Sequence, residues 1–270
     1  MKAFLKLQKK NKEDKFICVG LDSDPGKLPH HFKKDKSSIL DFNRSIIEAT
    51  SQFAAAYKIN FAFYEKYGSS GLDILKQTLE LIPGDILTIG DAKRGDIGNT
   101  SKYYAESLFE YFGFDSITIN PYMGEDSVKP FLEYSDKLIF ILALTSNPGA
   151  NDFEKLQLKD GSYFFQKVIE KVRLWNDNNN CGIVFGATNL KELQENVAGF
   201  DNLPVLLPGV GAQGGNFEDI MNVFIQQGKL NLLVNISRGI IYKDNSAGFA
   251  ETAKGEITQL NNLVKKLLTK

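Results

Sequence analysis

Short apolar runs alternate with segments of helical period along the whole chain. The runs Phe16–Leu21, Ala55–Ile59, Ile86–Gly90, Ser116–Asn120, Leu138–Leu144, Gly182–Phe185, Val205–Leu207 and Leu232–Ile236 are short and almost continuously apolar, the pattern of strands buried on both faces. Between them the apolar spacing lengthens to three and four, as in Leu72, Leu75, Leu79 and Ile82, in Phe164, Val168, Val172 and Trp175, and in Phe217, Ile220, Met221, Phe224 and Ile225. The last segment, with Ala253, Ile257, Leu260, Val264 and Leu267, is amphipathic as well. Eight strand–helix units in 270 residues predict an α/β fold, a closed (β/α)8 TIM barrel rather than an open doubly wound sheet, which usually stops at fewer strands. No Pro/Ser-rich or low-complexity linker interrupts the alternation, so one barrel domain over 1–270 is expected. Helix-to-strand links such as Pro83-Gly84-Asp85 are short, whereas strand exits are longer and hold Gly, Pro and charged residues. In a barrel those exits share one face, where the polar oddities should converge.

Composition narrows the partners. Hydrophobic residues at 43% and charged residues at 24% argue against a disordered chain. A formal net charge of -1 gives no global basic field, so neither nucleic acid nor a membrane is expected as a partner and an anionic ligand needs local donors. No apolar run approaches the ~18 residues of a membrane span. The basic start, Met1 to Lys12, has no signal-peptide core and reads as a short surface helix, so a cytoplasmic location is expected. Cys18 and Cys181 lie in apolar strand-like runs and read as buried free thiols.

The third run leads directly into Asp91-Ala92-Lys93-Arg94-Gly95-Asp96, setting two carboxylates and an ammonium where a strand becomes a loop. Asp91 and Lys93 are two apart and share one face of the strand end. Adjacent carboxylates favour a charged lysine, an arrangement suited to handing a proton to a carbanion, although a solvated charged turn has the same wording. Lys58, near the end of the second run, needs an acidic neighbour, and Asp91 on the adjacent strand is the obvious one; a structural ion pair at the rim is the alternative. Strand seven opens into Pro208-Gly-Val-Gly-Ala-Gln-Gly-Gly215 followed at once by a helix, and strand eight ends in Ser237-Arg238-Gly239. Backbone N–H groups, a helix N-terminus and a guanidinium at these two exits predict a phosphate site, with plain turn chemistry as the alternative.

In this order Asp22, Lys58, Asp91-Ala-Lys-Arg-Gly-Asp96, Thr145-Ser-Asn-Pro-Gly149, Pro208-Gly-Val-Gly-Ala-Gln213 and Arg238 resemble the orotidine 5'-phosphate decarboxylase family, most closely its larger branch in the stand-alone form. The resemblance implies decarboxylation of orotidine 5'-monophosphate to uridine 5'-monophosphate, the last step of de novo pyrimidine nucleotide biosynthesis, with no cofactor and no metal. It implies that Lys93 protonates C6, Asp91 flanks the leaving carboxylate, Lys58 bridges Asp91 and the ribose, and Asp22 holds a ribose hydroxyl. Ser146 would read the pyrimidine edge. Pro208, Gly211, Gln213 and Arg238 would hold the phosphate. Asp96, Ile97 and Thr100 would enter the neighbouring subunit's site, making a homodimer with shared active sites. Ser237 stands where many relatives carry glycine, and its side chain would crowd the phosphate or add a donor. The stretch Asn147–Ser162 and the loop from Pro208 are candidate lids.

Two rival readings remain at this level. A metal-dependent sugar-phosphate lyase or synthase on the same barrel reuses an Asp-x-Lys-x-x-Asp element to place a divalent ion, and a chelator distinguishes it. A catalytically silent nucleotide-binding protein would keep the pocket without the chemistry, and the intact Lys58, Asp91, Lys93 and Asp96 set argues against it.

Overall fold

The structure, a computed structural model, describes residues 1–211 and 214–269. Eight parallel strands close in sequence order into a barrel: β1 (Ile17–Gly20), β2 (Ala56–Asn60), β3 (Leu87–Arg94), β4 (Ser116–Ile119), β5 (Leu138–Leu144), β6 (Cys181–Phe185), β7 (Val205–Leu207) and β8 (Leu232–Ile236). The expected strands are all there, and β8 closes on β1 through Ile17↔Val234, Cys18↔Asn235 and Val19↔Ile236. β3 departs from expectation at its end, running on to Arg94 through residues read as a loop.

Strands covered on both sides lose every backbone N–H and C=O to their neighbours, so apolar side chains suit both faces. Inward-facing Leu87, Ile89, Phe140, Val184, Leu206 and Leu233 fill the barrel. The outward-facing residues belong to a second, larger cluster shared with the helices. The helices are α1 (Ala3–Lys12), α2 (Ile39–Thr50), α3 (Ala62–Glu65), α4 (Ser69–Glu80), α5 (Gly98–Glu106), α6 (Glu125–Leu132), α7 (Phe164–Leu174), α8 (Leu190–Asn196), α9 (Phe217–Gln226), α10 (Arg238–Ile241) and α11 (Phe249–Leu268). On α7 the buried stripe is Phe165, Ile169 and Val172, one position round from the predicted Phe164 and Val168. Among the described residues no helix is long and apolar enough to cross a membrane.

α1 corrects the reading of Met1–Lys12 as a surface helix. Ala3 and Leu7 are buried against the barrel's inner cluster, Lys6 pairs with Asp115 at 2.8 Å and Lys10 with Asp85 at 2.7 Å. The helix therefore closes the N-terminal end of the barrel, leaving the C-terminal end as the open one. Both cysteines are buried and free; burial pushes the Cys181 thiol up to about 12 and the Cys18 thiol higher.

Candidate active site

The irregular end of β3 builds the centre of the site. Its register with β4 runs Ile89↔Ser116 and Gly90↔Ile117, then moves to Arg94↔Ile119, so β3 carries extra residues that bulge and re-aim their side chains. Lys93 has a φ of 47°, a left-handed conformation that costs a non-glycine residue about 1–3 kcal/mol and collects at functional sites. Its N–H donates to Thr118 Oγ1 at 3.1 Å, and its ammonium folds back to Asp91 Oδ1 at 2.6 Å.

Lys58 lies on the neighbouring strand, two residues before the Asn60↔Asp91 pair and so on the same face as Asn60. Its ammonium is 2.8 Å from Asp91 Oδ2 and 3.6 Å from Asp22 Oδ1. The Thr118 hydroxyl donates to Asp91 Oδ1 at 2.9 Å. The outcome is a row of alternating charge, Asp22, Lys58, Asp91, Lys93, that begins in the barrel and ends at its mouth. Lys58 is 4% exposed and Asp91 8%, whereas the Lys93 side chain is half exposed.

Burial alone would raise the Asp91 carboxyl, but the charges of Lys58 and Lys93 and their hydrogen bonds outweigh it and hold the group well below the usual carboxylate range. Burial alone would likewise lower Lys58, and the charges of Asp22 and Asp91 outweigh it, holding the ammonium above the ordinary lysine value. Both members of the pair are thus ionised at neutral pH.

Above the row lies a cavity of about 310 Å³, within the range of small-molecule sites. Lys93, Asp91, Lys58 and Asp22 line one part of it; Ser146 from the β5 exit, Pro208 from the β7 exit and Arg238 after β8 line the rest. Among the described residues the Arg238 guanidinium has no ion pair or hydrogen bond within the chain. The loop after β7 turns through Gly209, Gly211 and Gly214, at φ 104°, 74° and 97°, values only glycine adopts without strain. Its base is closed by Gly211 N–H to Gly215 O at 2.9 Å and Gly215 N–H to Gly209 O at 3.1 Å.

Several expectations change here. The start of α9 does not offer free donors to an anion: Asn216 Oδ1 accepts from the Glu218 and Asp219 N–H groups, and both of those residues put acid in the first turn. Gly209 and Val210 line the cavity, and Gly211 does not; Gln213 lies outside the described residues. Asp96 makes no ion pair with Lys93 within the chain, its Oδ1 accepting from the Ile97 N–H at 2.8 Å. Ile97 is 58% exposed and Thr100 is exposed, so none of the three is brought into the cavity by this chain. Ser237 turns away from a phosphate role, its Oγ donating to Asp22 Oδ2 at 2.5 Å. The predicted lid after β5 is strapped: Glu154 accepts from the Thr145 N–H at 2.6 Å and Lys155 pairs with Glu192 at 2.5 Å.

Three side chains escaped the sequence reading. Thr118 joins Asp91 to the Lys93 backbone, and Glu154 fixes the start of the β5 exit. Asn235 lines the cavity with its Oδ1 buried and unpartnered. The signal for Asn235 was present, a lone amide in the apolar run Leu232-Leu-Val-Asn-Ile236.

Residues 15–253 match the model of the Orotidine 5'-phosphate decarboxylase / HUMPS family. The chain is 46% identical over 239 residues to the orotidine 5'-phosphate decarboxylase of Herpetosiphon aurantiacus, covering 88% of each chain. It is 45% identical over 262 residues to that of Christiangramia forsetii, covering 96% of each. The solved structure of Leishmania donovani OMP decarboxylase superposes with a TM-score of 0.85 at 34% identity, over 98% of this chain and 100% of that one.

Proposed function

The chain belongs to the family of orotidine 5'-phosphate decarboxylases, and from that premise we propose that it works without a cofactor and uses Lys93 as the acid that protonates C6. The overall reaction is that of a carboxy-lyase in pyrimidine nucleotide biosynthesis, from orotidine 5'-monophosphate to uridine 5'-monophosphate and CO2. What carries the mechanistic reading is the Lys93 ammonium, held 2.6 Å from Asp91 in the same cavity as Arg238.

The C6–carboxylate bond breaks, its electron pair stays on C6, CO2 leaves, and an N–H of Lys93 supplies the proton; solvent then restores the ammonium. No adjacent carbonyl delocalises that pair, so fixed charge must stabilise it. Asp91 flanks the leaving carboxylate, where like charges crowd the ground state, and Lys58 ties Asp91 to Asp22, which holds a ribose hydroxyl. Ser146 reads the pyrimidine edge. The β7 loop with Pro208 and Gln213, together with Arg238, grips the phosphate. A barrier reduction on the order of 8–23 kcal/mol exceeds what one close charge supplies, so remote phosphate binding contributes to orienting the ring. Replacing Arg238 with alanine should therefore weaken uridine 5'-monophosphate by about 1.5–3 kcal/mol, the scale of a charged hydrogen bond, and leave uridine unchanged; equal losses for both in calorimetry would remove Arg238 from the phosphate site.

The reading includes a single barrel domain, a cytosolic location, consistent with the two free thiols, and a homodimer. Ile97, Tyr122, Met123 and Phe153 put large apolar side chains on the surface of the β3, β4 and β5 exits, a patch suited to a second copy. Asp96, unpaired with Lys93 in its own chain, then reaches the partner's site together with Ile97 and Thr100. Lys93→Ala and Asp96→Ala variants, each inactive alone, should on mixing regain about a quarter of wild-type turnover, because half the dimers are mixed and each holds one intact site. An absorbance assay with orotidine 5'-monophosphate in a chelating buffer reads this out. No recovery on mixing counts against shared sites, and loss of wild-type turnover in the chelator favours the metal-dependent rival.

A further inference from the structure

We propose that Ser237 is a positioning residue that aims the Asp22 carboxylate at the sugar and thereby sets the preference for a ribose over a deoxyribose. The inference rests on the reading above that Asp22 accepts from a ribose hydroxyl. Barrel closure makes Ser237 and Asp22 neighbours: β8 pairs with β1 up to Val19↔Ile236, so Gly20 stands beside Ser237. A Cβ on Gly20 would lie 1.9 Å from Ser237 Oγ, which means the hydroxyl occupies the space that any other residue at 20 would fill. From that notch it donates to Asp22 Oδ2 at 2.5 Å.

The other oxygen, Asp22 Oδ1, is buried and has no hydrogen-bond partner. Its nearest cation, Lys58 Nζ, is 3.6 Å away, beyond a good hydrogen bond. A buried acceptor left in this state is unfavourable unless a ligand supplies the donor. The backbone of Asp22 is fixed as well, since the Tyr242 hydroxyl donates to Asp22 O at 3.1 Å and accepts from the Asp24 N–H at 2.6 Å. Ser237 and Tyr242 bracket α10, the turn that starts with Arg238. One short segment thus presents the guanidinium and locks Asp22 by both side chain and main chain. Without the Ser237 hydroxyl, the carboxylate is free to swing onto Lys58 and withdraw its open oxygen from the sugar.

The test measures dissociation constants of uridine 5'-monophosphate and its 2'-deoxy and 3'-deoxy forms by calorimetry. Ser237→Ala should weaken the ribonucleotide about tenfold, the scale of one hydrogen bond to a charged group, while the deoxy form lacking the hydroxyl that Asp22 holds binds as it does to the wild type. Gly20→Ala should reproduce this by expelling the hydroxyl. The double variant should be no worse than either single, because with Oγ gone the nearest atom is the residue-237 Cβ at 3.1 Å. Equal weakening of all three nucleotides by Ser237→Ala, or additive losses in the double variant, overturns the proposal. Asp22→Asn separates the two layers: if it leaves the ribose-to-deoxyribose ratio at the wild-type value, the role of Asp22 itself fails; if it abolishes the ratio while Ser237→Ala does not, only the Ser237 proposal fails.

Discussion

Replacing Lys93 with alanine should reduce turnover of orotidine 5'-monophosphate by about 10⁵-fold or more while the affinity for uridine 5'-monophosphate changes little. A positioned general acid contributes on the order of 10²–10⁴, and a preorganised charge beside a developing anion about 10²–10³ more. Both effects reside in one ammonium 2.6 Å from Asp91. The product has no carbanion and a proton already on C6, so its binding draws on the phosphate and ribose contacts instead. Lys93 is also half exposed and strained at φ 47°, so its removal should not unfold the barrel. Single-turnover kinetics beside product calorimetry make the check. Turnover within tenfold of wild type would eliminate the proposed acid, and product affinity falling in step with rate would mean that Lys93 only organises the site.

The second large effect concerns stability. Lys58→Met keeps the length of the side chain and deletes the charge between two carboxylates, one of them Asp91 at 8% exposure. Breaking a buried pair costs about 3–5 kcal/mol because the remaining charge is stranded. The pH dependence gives the sign. In the wild type the Asp91 carboxyl is held below its ordinary 3.8, so its contribution is complete above that value and disappears as the pH falls through the lower, folded one. Lys58 is held above its ordinary 10.5, so its contribution is complete below that and disappears as the pH rises through the higher, folded one. The wild-type pair therefore adds no slope between pH 5 and 8. In the variant only the Lys93 ammonium still opposes burial at Asp91, so the carboxyl moves upward, protonation relieves the stranded charge, and the stability loss should shrink as the pH falls across the same range. Urea denaturation at pH 8 and pH 5 reads this out; an identical loss at both would show that the pair contributes little charge energy to the fold.

The barrel was legible because its strands are short apolar runs at even spacing, and the Lys58–Asp91 pair because adjacent parallel strands put the two at neighbouring heights. The course of β3 was not. A charged hexapeptide has the composition of a loop, yet its first four residues stay in β3, Asp91 opposite Asn60 of β2 and Arg94 opposite Ile119 of β4. Ser237 was misread for a different reason: its partner Asp22 is 215 residues away in sequence, across the seam where the last strand meets the first. The start of α9 was taken for an anion site because glycines precede it, whereas the Asn216 side chain already accepts from the Glu218 and Asp219 N–H groups and those two residues put negative charge in the first turn. Asp96 closes the same charged hexapeptide as Lys93, and only the structure shows that its Oδ1 accepts from the Ile97 N–H rather than pairing with Lys93.

The plug formed by α1 carries a consequence for biosynthesis. Its lysines dock on Asp85 and Asp115, which follow them by 75 and 109 residues. A ten-residue helix is marginal by itself in water. At a ribosomal pace of about 5–20 residues per second, α1 waits roughly 4–20 s for its acceptors to emerge. The helix is thus made before the barrel that it seals and is among the late pieces to settle, because its anchors sit on the residues that lead into the third and fourth strands.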